Sequence, residues 1–199
     1  MLQRTPEWHA FRLGRVTASR ICDVMATIKT GEAVTRRNYR AEKVLERISG
    51  KSQENNYQSG AMLAGIEREA QARIAYEFEK NCTVEDVGII PHPTIEWAAA
   101  SPDGLVGEHG LVEVKCPEAS AYLDALLGRD IPQKYLDQMQ WQLACSGRLW
   151  CDYVVYREDL PLVPPKRVAR DNKRIDEIEA EVRKFLQEVE DTLEILARR

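Results

Sequence analysis

A chain of 199 residues is long enough for one compact domain, and 44% hydrophobic against 30% charged residues is the balance of an ordinary globular protein. The formal net charge of −4 argues against indiscriminate binding to polyanions, and no stretch approaches the roughly 18 consecutive apolar residues of a membrane span. That total conceals a lopsided distribution: residues 1–51 hold 11 Lys or Arg against 5 Asp or Glu, and the other 148 hold 17 against 27. A phosphate backbone would sit at the basic end. Alternatively, Arg36, Arg37, Arg40, Lys43 and Arg47 form one solvated side of an amphipathic helix. The first residues lack the apolar run of a secretory leader, which places the protein in the cytosol. Five cysteines, with no C-x-x-C pair or zinc-ligand spacing, read as reduced and mostly buried thiols.

In chain order, a short helix is expected over 6–13, with Trp8 and Phe11 in the core, then Gly14, then a second helix capped by Thr17 or Ser19. Thr35 is the expected cap of a helix running to Ser49 and stopped by Gly50. A polar loop over 51–58 leads to Ser59, which opens a long helix over 59–80 with Asn81 as its stop. Everything before Asn81 reads helical. After it the pattern changes to short β-branched runs at 83–90, 96–100 and 110–115, broken by Pro91, Pro93, Asp103-Gly104 and His109-Gly110. Two helices over 119–127 and 132–145 follow, then strands at 150–157 and 162–168. The tail from Asp171 is one long helix whose stripe of Ile175, Ile178, Val182, Phe185, Val189, Leu193 and Leu196 must pack on something.

The chemistry concentrates after Ser101-Pro102-Asp103-Gly104, a turn sequence in its own right. In the strand Leu111-Val112-Glu113-Val114-Lys115, Glu113 and Lys115 are two apart and project to one face. Turn and exposed-edge roles would account for all three ionisable residues without any chemistry. The chemical alternative has Asp103 and Glu113 holding a hard divalent cation through oxygen, which suits Mg²⁺, while Lys115 places a positive charge beside an attacking water. Phosphodiester hydrolysis requires those functions.

S-P-D-G followed by E-V-K resembles the signature of the PD-(D/E)XK nuclease superfamily. Three further segments, W-H-A-F-R-L-G with T-A-S at 8–19, G-I-E-R-E at 65–69 and Y-L-D-Q-M-Q at 135–140, resemble one branch of it, the phage lambda exonuclease type of YqaJ-like viral recombinases or alkaline exonucleases. The resemblance spans roughly residues 7–157. It implies a restriction-endonuclease-like α/β core, a mixed sheet flanked by helices. It also implies a single domain whose helical part, 1–81, binds DNA ends, with a β-rich catalytic core at 82–168 and a terminal helix at 169–199.

By the same resemblance, Asp103, Glu113 and the carbonyl of Val114 are metal ligands, Lys115 is the catalytic lysine, and Gln138 supports the nucleophilic water. Glu69 completes the site, with Glu67 as the competing residue. A surface pair with Arg73 would explain Glu69 otherwise. Arg12, Ser19 and Ser101 resemble a pocket for a DNA 5′-phosphate. Met62, two turns before Glu69, stands where the family has a wedge between terminal bases, although Met is also ordinary core filler. Lys29 would contact the duplex. The activity implied is Mg²⁺-dependent digestion of linear duplex DNA, 5′ to 3′ and processive, with Mn²⁺ able to substitute. A homotrimeric ring and a single-strand annealing partner are implied, and no membrane. A structure- or sequence-selective endonuclease or repair nuclease of the same superfamily, and a catalytically inert DNA-binding protein, are the alternatives.

Overall fold

The computed structural model describes residues 2–53, 60–158 and 160–198, of residues 60–64 and 66 only the backbone. Ser59 as a helix opener, most of the polar loop and the side chain of Met62 lie outside the described residues. In chain order the elements are α1 (Pro6–Arg12), β1 (Val16–Thr17), a 3-10 turn (Ala18–Arg20), α2 (Ile21–Val24), α3 (Val34–Ser49) and α4 (Gly60–Lys80). They continue with β2 (Val84–Glu85), β3 (Ile90–Pro91), β4 (Ala98–Ala100), β5 (Gly104–Val106), β6 (Gly110–Lys115), α5 (Ala119–Leu126), α6 (Gln133–Ser146), β7 (Trp150–Val155), β8 (Lys166–Ala169) and α7 (Asn172–Ala197).

The main sheet runs β2-β5-β6-β7-β8, with β6 and β7 parallel and the other neighbours antiparallel. A parallel pair cannot be joined by a tight turn, and α5 and α6 supply the crossover between β6 and β7. β6 is buried on both faces: Leu111 joins one hydrophobic cluster, while Val112 and Val114 join another with Ala72 and Tyr76 of α4. On the Leu111 face lies α6, buried continuously from Asp137 to Cys145. The even-spaced residues Leu111, Glu113 and Lys115 therefore face α6, as the period of a strand requires. The architecture is the expected mixed sheet between helices.

A smaller sheet, β1-β4-β3, overturns the expectation that everything before Asn81 is helical. Val16 and Thr17 pair in parallel with Ala98 and Ala99, and two residues are too few to show any strand periodicity. The single strand expected over 83–90 is two strands in different sheets, joined by the irregular segment 86–89. The last strand begins at Lys166 rather than 162, because Pro164 and Pro165 have no N–H to give a ladder. Thr35 does not cap α3: buried Ala33 holds that position and no side chain caps the helix. Nor does Thr17 or Ser19 cap the turn and helix that follow them. Asn81, at φ 48°, and Gly50, at φ 63°, do end α4 and α3 in the left-handed conformation that favours such residues.

The tail stripe packs as its spacing predicts, with Ile175, Ile178, Val182, Phe185 and Val189 buried, and Leu196 exposed past the end of the contact. Its neighbours include α3, and this contact corrects the reading of the basic N-terminal third. Arg36 donates to Glu188 at 2.9 Å and to the carbonyl of Val24 at 2.6 Å, Arg40 reaches Glu32 and Glu188, and Arg47 pairs with Glu190. Lys43, 2% exposed, donates to Glu46 at 2.6 Å. Four of the five cations are thus neither solvated nor available to a phosphate backbone, and Arg37 alone of the set is exposed. Among the described residues no helix is long and apolar enough to cross a membrane.

Candidate functional site

Gly104 opens β5 opposite Val112, which sets Asp103 immediately beyond the last paired residues of β5 and β6. A Cβ at Gly104 would stand 2.1 Å from Val84 Cγ1, so the glycine is required by close approach of β2, rather than by the tight turn its Asp-Gly sequence suggests. Past that pair the ladder is continued by a side chain: Asp103 Oδ2 accepts the backbone N–H of Val114 at 2.7 Å. Asp103 is thereby tied to the strand that carries Glu113 and Lys115.

Glu113 is 2% exposed, and an acceptor-only carboxylate at such depth requires donors. Three are present. Its Oε1 accepts from Lys115 Nζ at 2.5 Å and from Gln138 Nε2 at 2.6 Å, and its Oε2 accepts from Gln142 Nε2 at 2.6 Å. Lys115 also lies 5.0 Å from the centre of the Tyr135 ring. Burial opposes its ammonium form, yet Glu113 and Asp103 outweigh that and hold its pKa above the ordinary lysine value. The Asp103 carboxyl is pushed well above the usual carboxylate range by burial and by the charges of Glu113 and Glu69, which Lys115 and the Val114 amide offset only in part. Negative charge thus outweighs positive charge at this corner. A desolvated carboxylate pair with a charge deficit is a donor set that fits a hard divalent cation. Among the described residues no group of three or more His, Cys, Asp or Glu side chains is gathered closely enough to hold an ion. The side chains that could hold such an ion are therefore Asp103 and Glu113, and a third oxygen would have to come from the backbone or from movement of Glu69.

Of the two candidate acids on α4, Glu67 and Glu69, Glu69 is the one whose charge reaches Asp103; Glu67 is exposed. Glu69 does not pair with Arg73, which instead binds Asp86. It is held by Arg4 at 2.5 Å, and the neighbouring Gln3 donates to the carbonyls of Pro102 and Val87 at 2.8 and 3.0 Å. This N-terminal strap over the Ser101–Gly104 segment carries no sequence signal.

Trp8 and Phe11 are half-buried rather than core, and no residue of α1 is buried. Their ring faces carry guanidinium groups instead, with Arg12 4.3 Å from the Trp8 ring centre and Arg15 4.3 Å from that of Phe11. Trp8 Nε1 donates to Ser101 Oγ at 3.0 Å, so Arg12, Trp8 and Ser101 form one group two residues from Asp103. Ser19 is exposed on the 3-10 turn with no hydrogen bond among the described residues, and Lys29 is exposed on the segment after α2, outside this group. Gln142 was missed by sequence reading. Its signal was available, because Gln138 and Gln142 are one turn apart on a helix whose other buried positions are largely apolar.

A family model described as the YqaJ-like viral recombinase domain matches residues 7–149. The chain belongs to this family. Two solved structures of LHK-Exo, an alkaline exonuclease from Laribacter hongkongensis, share 44% and 43% identity with it. They superpose with TM-scores of 0.90 and 0.87, each over 98% of this chain and 97% of the other; the former is in complex with dAMP. A phage-related exonuclease from Haemophilus somnus, 13% identical, shares the fold with a TM-score of 0.70 over 92% of this chain and 96% of that one. No curated protein matches the chain. As a YqaJ-like, lambda exonuclease-like protein with the PD-(D/E)XK fold, it is a nuclease that acts on DNA.

Proposed function

We propose that this YqaJ-like nuclease digests linear double-stranded DNA from 5′-phosphorylated ends, 5′ to 3′ and processively, in the presence of Mg²⁺ or Mn²⁺. The single strand left behind would serve recombination by annealing. The observation that carries this reading is Glu113: a carboxylate buried in the sheet, fixed by Lys115, Gln138 and Gln142, beside a second, half-buried acid just before the adjoining strand.

In this reading Asp103, Glu113 and the Val114 carbonyl hold the cation, and Glu69 completes the site once Arg4 releases it. The bound cation supplies Lewis-acid polarisation of the scissile phosphate and a lowered pKa for water. The residues do the rest. Lys115, kept protonated by its two acidic neighbours, supplies a fixed positive charge where negative charge builds on the phosphoryl oxygens. Gln138 spends its amide nitrogen on Glu113, so its amide oxygen is the atom that would accept a proton of the attacking water. Arg12, backed by the Trp8 ring and close to Ser101, offers planar donors to a terminal phosphate, with Ser19 joining from the 3-10 turn. Met62 is the proposed wedge and Lys29 a duplex contact. Residues 1–81 would grip the DNA end and 82–168 cut it within one nuclease domain. Three copies in a ring would keep the duplex threaded, and a single-strand annealing protein would take the product in the cytosol. The dAMP bound to LHK-Exo is of the product class that stepwise removal of nucleotides releases.

The test is cleavage with Mg²⁺ of a linear duplex with 5′-phosphate, the same duplex with 5′-hydroxyl, and a closed circle. Preferred loss of the first, release of mononucleotides and an intact circle are expected. A nicked or linearised circle overturns the exonuclease reading, and equal rates on both linear ends remove the role of Arg12.

A further inference from the structure

Most guanidinium groups in this chain are paired, which makes an exception informative. Arg68 stands one residue before Glu69 on α4, partly buried, and makes neither an ion pair nor a hydrogen bond among the described residues. It lines a cavity of about 170 Å³ with Cys116, Pro117, Tyr156, Arg157 and Glu158. Arg157 is likewise partly buried, and it spends one N–H on the carbonyl of Pro117 at 3.3 Å without reaching a carboxylate among the described residues. Glu158, exposed at the rim, comes within ion-pair distance of neither. Among the described residues, two cations therefore face one cavity with a single acid at its mouth. The wall made by Cys116 and Pro117 is the chain leaving β6 directly after Lys115.

We propose that Arg68 and Arg157 form a seat for a DNA backbone phosphodiester next to the one being cut, separate from the Arg12 group. Two guanidinium forks held apart from carboxylates, at the exit of the strand that carries Glu113 and Lys115, match the charge and donor geometry of a phosphodiester. The strand's own carboxylates repel the DNA that the site must hold, so cations just outside it are needed to offset that repulsion. The role is positioning: the seat fixes the strand's register over the site without touching the reacting atoms. This inference rests on the exonuclease reading only for which bond is cut, because DNA binding is measurable without cleavage.

The test uses the full-length protein with chelator and a 5′-phosphorylated duplex, measuring Kd across a salt series for wild type, Arg68→Ala, Arg157→Ala and Arg68→Lys. Each alanine variant is expected to weaken binding about tenfold and to lower the slope of log Kd against log salt by about one. Arg68→Lys should keep the slope. With Mg²⁺, KM should rise while kcat stays within about twofold, and preference for the 5′-phosphorylated end should persist. Melting curves identify any variant that fails to fold, and Arg68→Lys and Arg157→Lys then carry the comparison through a methylphosphonate scan. Neutralising one internal linkage should weaken wild type and the lysine variants, which keep the cation, and leave any folded alanine variant unaffected. Unchanged Kd and salt slope overturn the proposal, as does loss of end preference, which would assign these arginines to the terminal phosphate. If wild type binds DNA but cuts none, the exonuclease reading fails while the seat is still measured.

Discussion

Two regions of this molecule bury charge, and they settle it in opposite ways. Along the seam between α3 and α7, Arg36, Arg40 and Arg47 meet Glu188 and Glu190, with Glu32 closing the set. Cation and anion are matched there, and the result is adhesion between two helices. At the corner of β5, β6 and α6 the acids Asp103, Glu113 and Glu69 gather around Lys115, and the Asp103 carboxyl is driven up because the sum does not cancel. A balanced set of buried charges holds a fold together. An unbalanced one is tolerated where something else binds, which is why the proposed site is the corner and not the more basic seam.

The sharpest way to break the comparison is to remove one cation at the corner and one beside the seam. Lys115→Ala should lower the cleavage rate by two or more orders of magnitude while leaving Kd for DNA within a few-fold, measured with Mg²⁺ and with chelator respectively. Retained cleavage would take lysine out of the chemistry. Lys43→Met, beside the seam, should do the reverse. It leaves Glu46 buried without its partner, at a cost of about 3–5 kcal/mol read from urea or thermal melting, while the folded fraction still cuts at close to the normal rate. A variant that is stable but inactive would make the two regions alike and sink the distinction.

The difference also explains what the sequence disclosed. Asp103, Glu113 and Lys115 belong to a turn and a strand close together in the chain, where a period of two forces Glu113 and Lys115 to one face, so their convergence is written locally. The long apolar stripe of α7 is equally local. The seam is not. The five cations of α3 have an amphipathic spacing that fits a solvated face or a DNA surface equally well, and only the tertiary contact with α7 decides against both. Trp8 reads as core in the sequence because aromatic residues usually are, but its ring is instead a platform between Arg12 and Ser101. β1 escaped notice because a two-residue strand gets its hydrogen bonds from a distant partner and has no pattern of its own.

A smaller effect sharpens the corner. Gln142 is fully buried, yet it supplies the only donor to Glu113 Oε2 among the described residues. Gln142→Leu should lower kcat about tenfold with KM little changed, because an unsatisfied carboxylate oxygen at this depth rotates away from its place. Gln142→Glu, which sets a second acid against Glu113, should be worse. A leucine variant with normal kcat would show that Lys115 and Gln138 are sufficient to fix the carboxylate.

The smallest expected effect concerns pH and lies away from both regions. His92 is buried against the Trp141 ring, its Nδ1 accepts the backbone N–H groups of Thr94 and Ile95 at 3.3 and 3.1 Å, and its Nε2 faces Glu179 at 3.2 Å. Burial pulls its pKa below the ordinary value of 6.5, with Glu179 offsetting part of the shift. Protonation would have to place a hydrogen on Nδ1, where two donors already point. Above pH 6.5 the ring is neutral both folded and unfolded, and pH has no effect through this group. As pH falls below 6.5 the unfolded chain takes up the proton first, so stability is lost until the folded pKa is passed. Asp103 works in the opposite direction over part of that range, since its raised pKa favours proton uptake by the folded state. The measurement is therefore a difference: Tm of wild type minus Tm of His92→Gln at pH 7.5 and at pH 5.5. That difference should shrink by a few degrees in acid, on a scale where about 1 kcal/mol moves Tm by about 2–4 °C at this length. A constant difference would mean that the histidine accepts its proton without cost, and that the two backbone donors do not hold Nδ1 unprotonated.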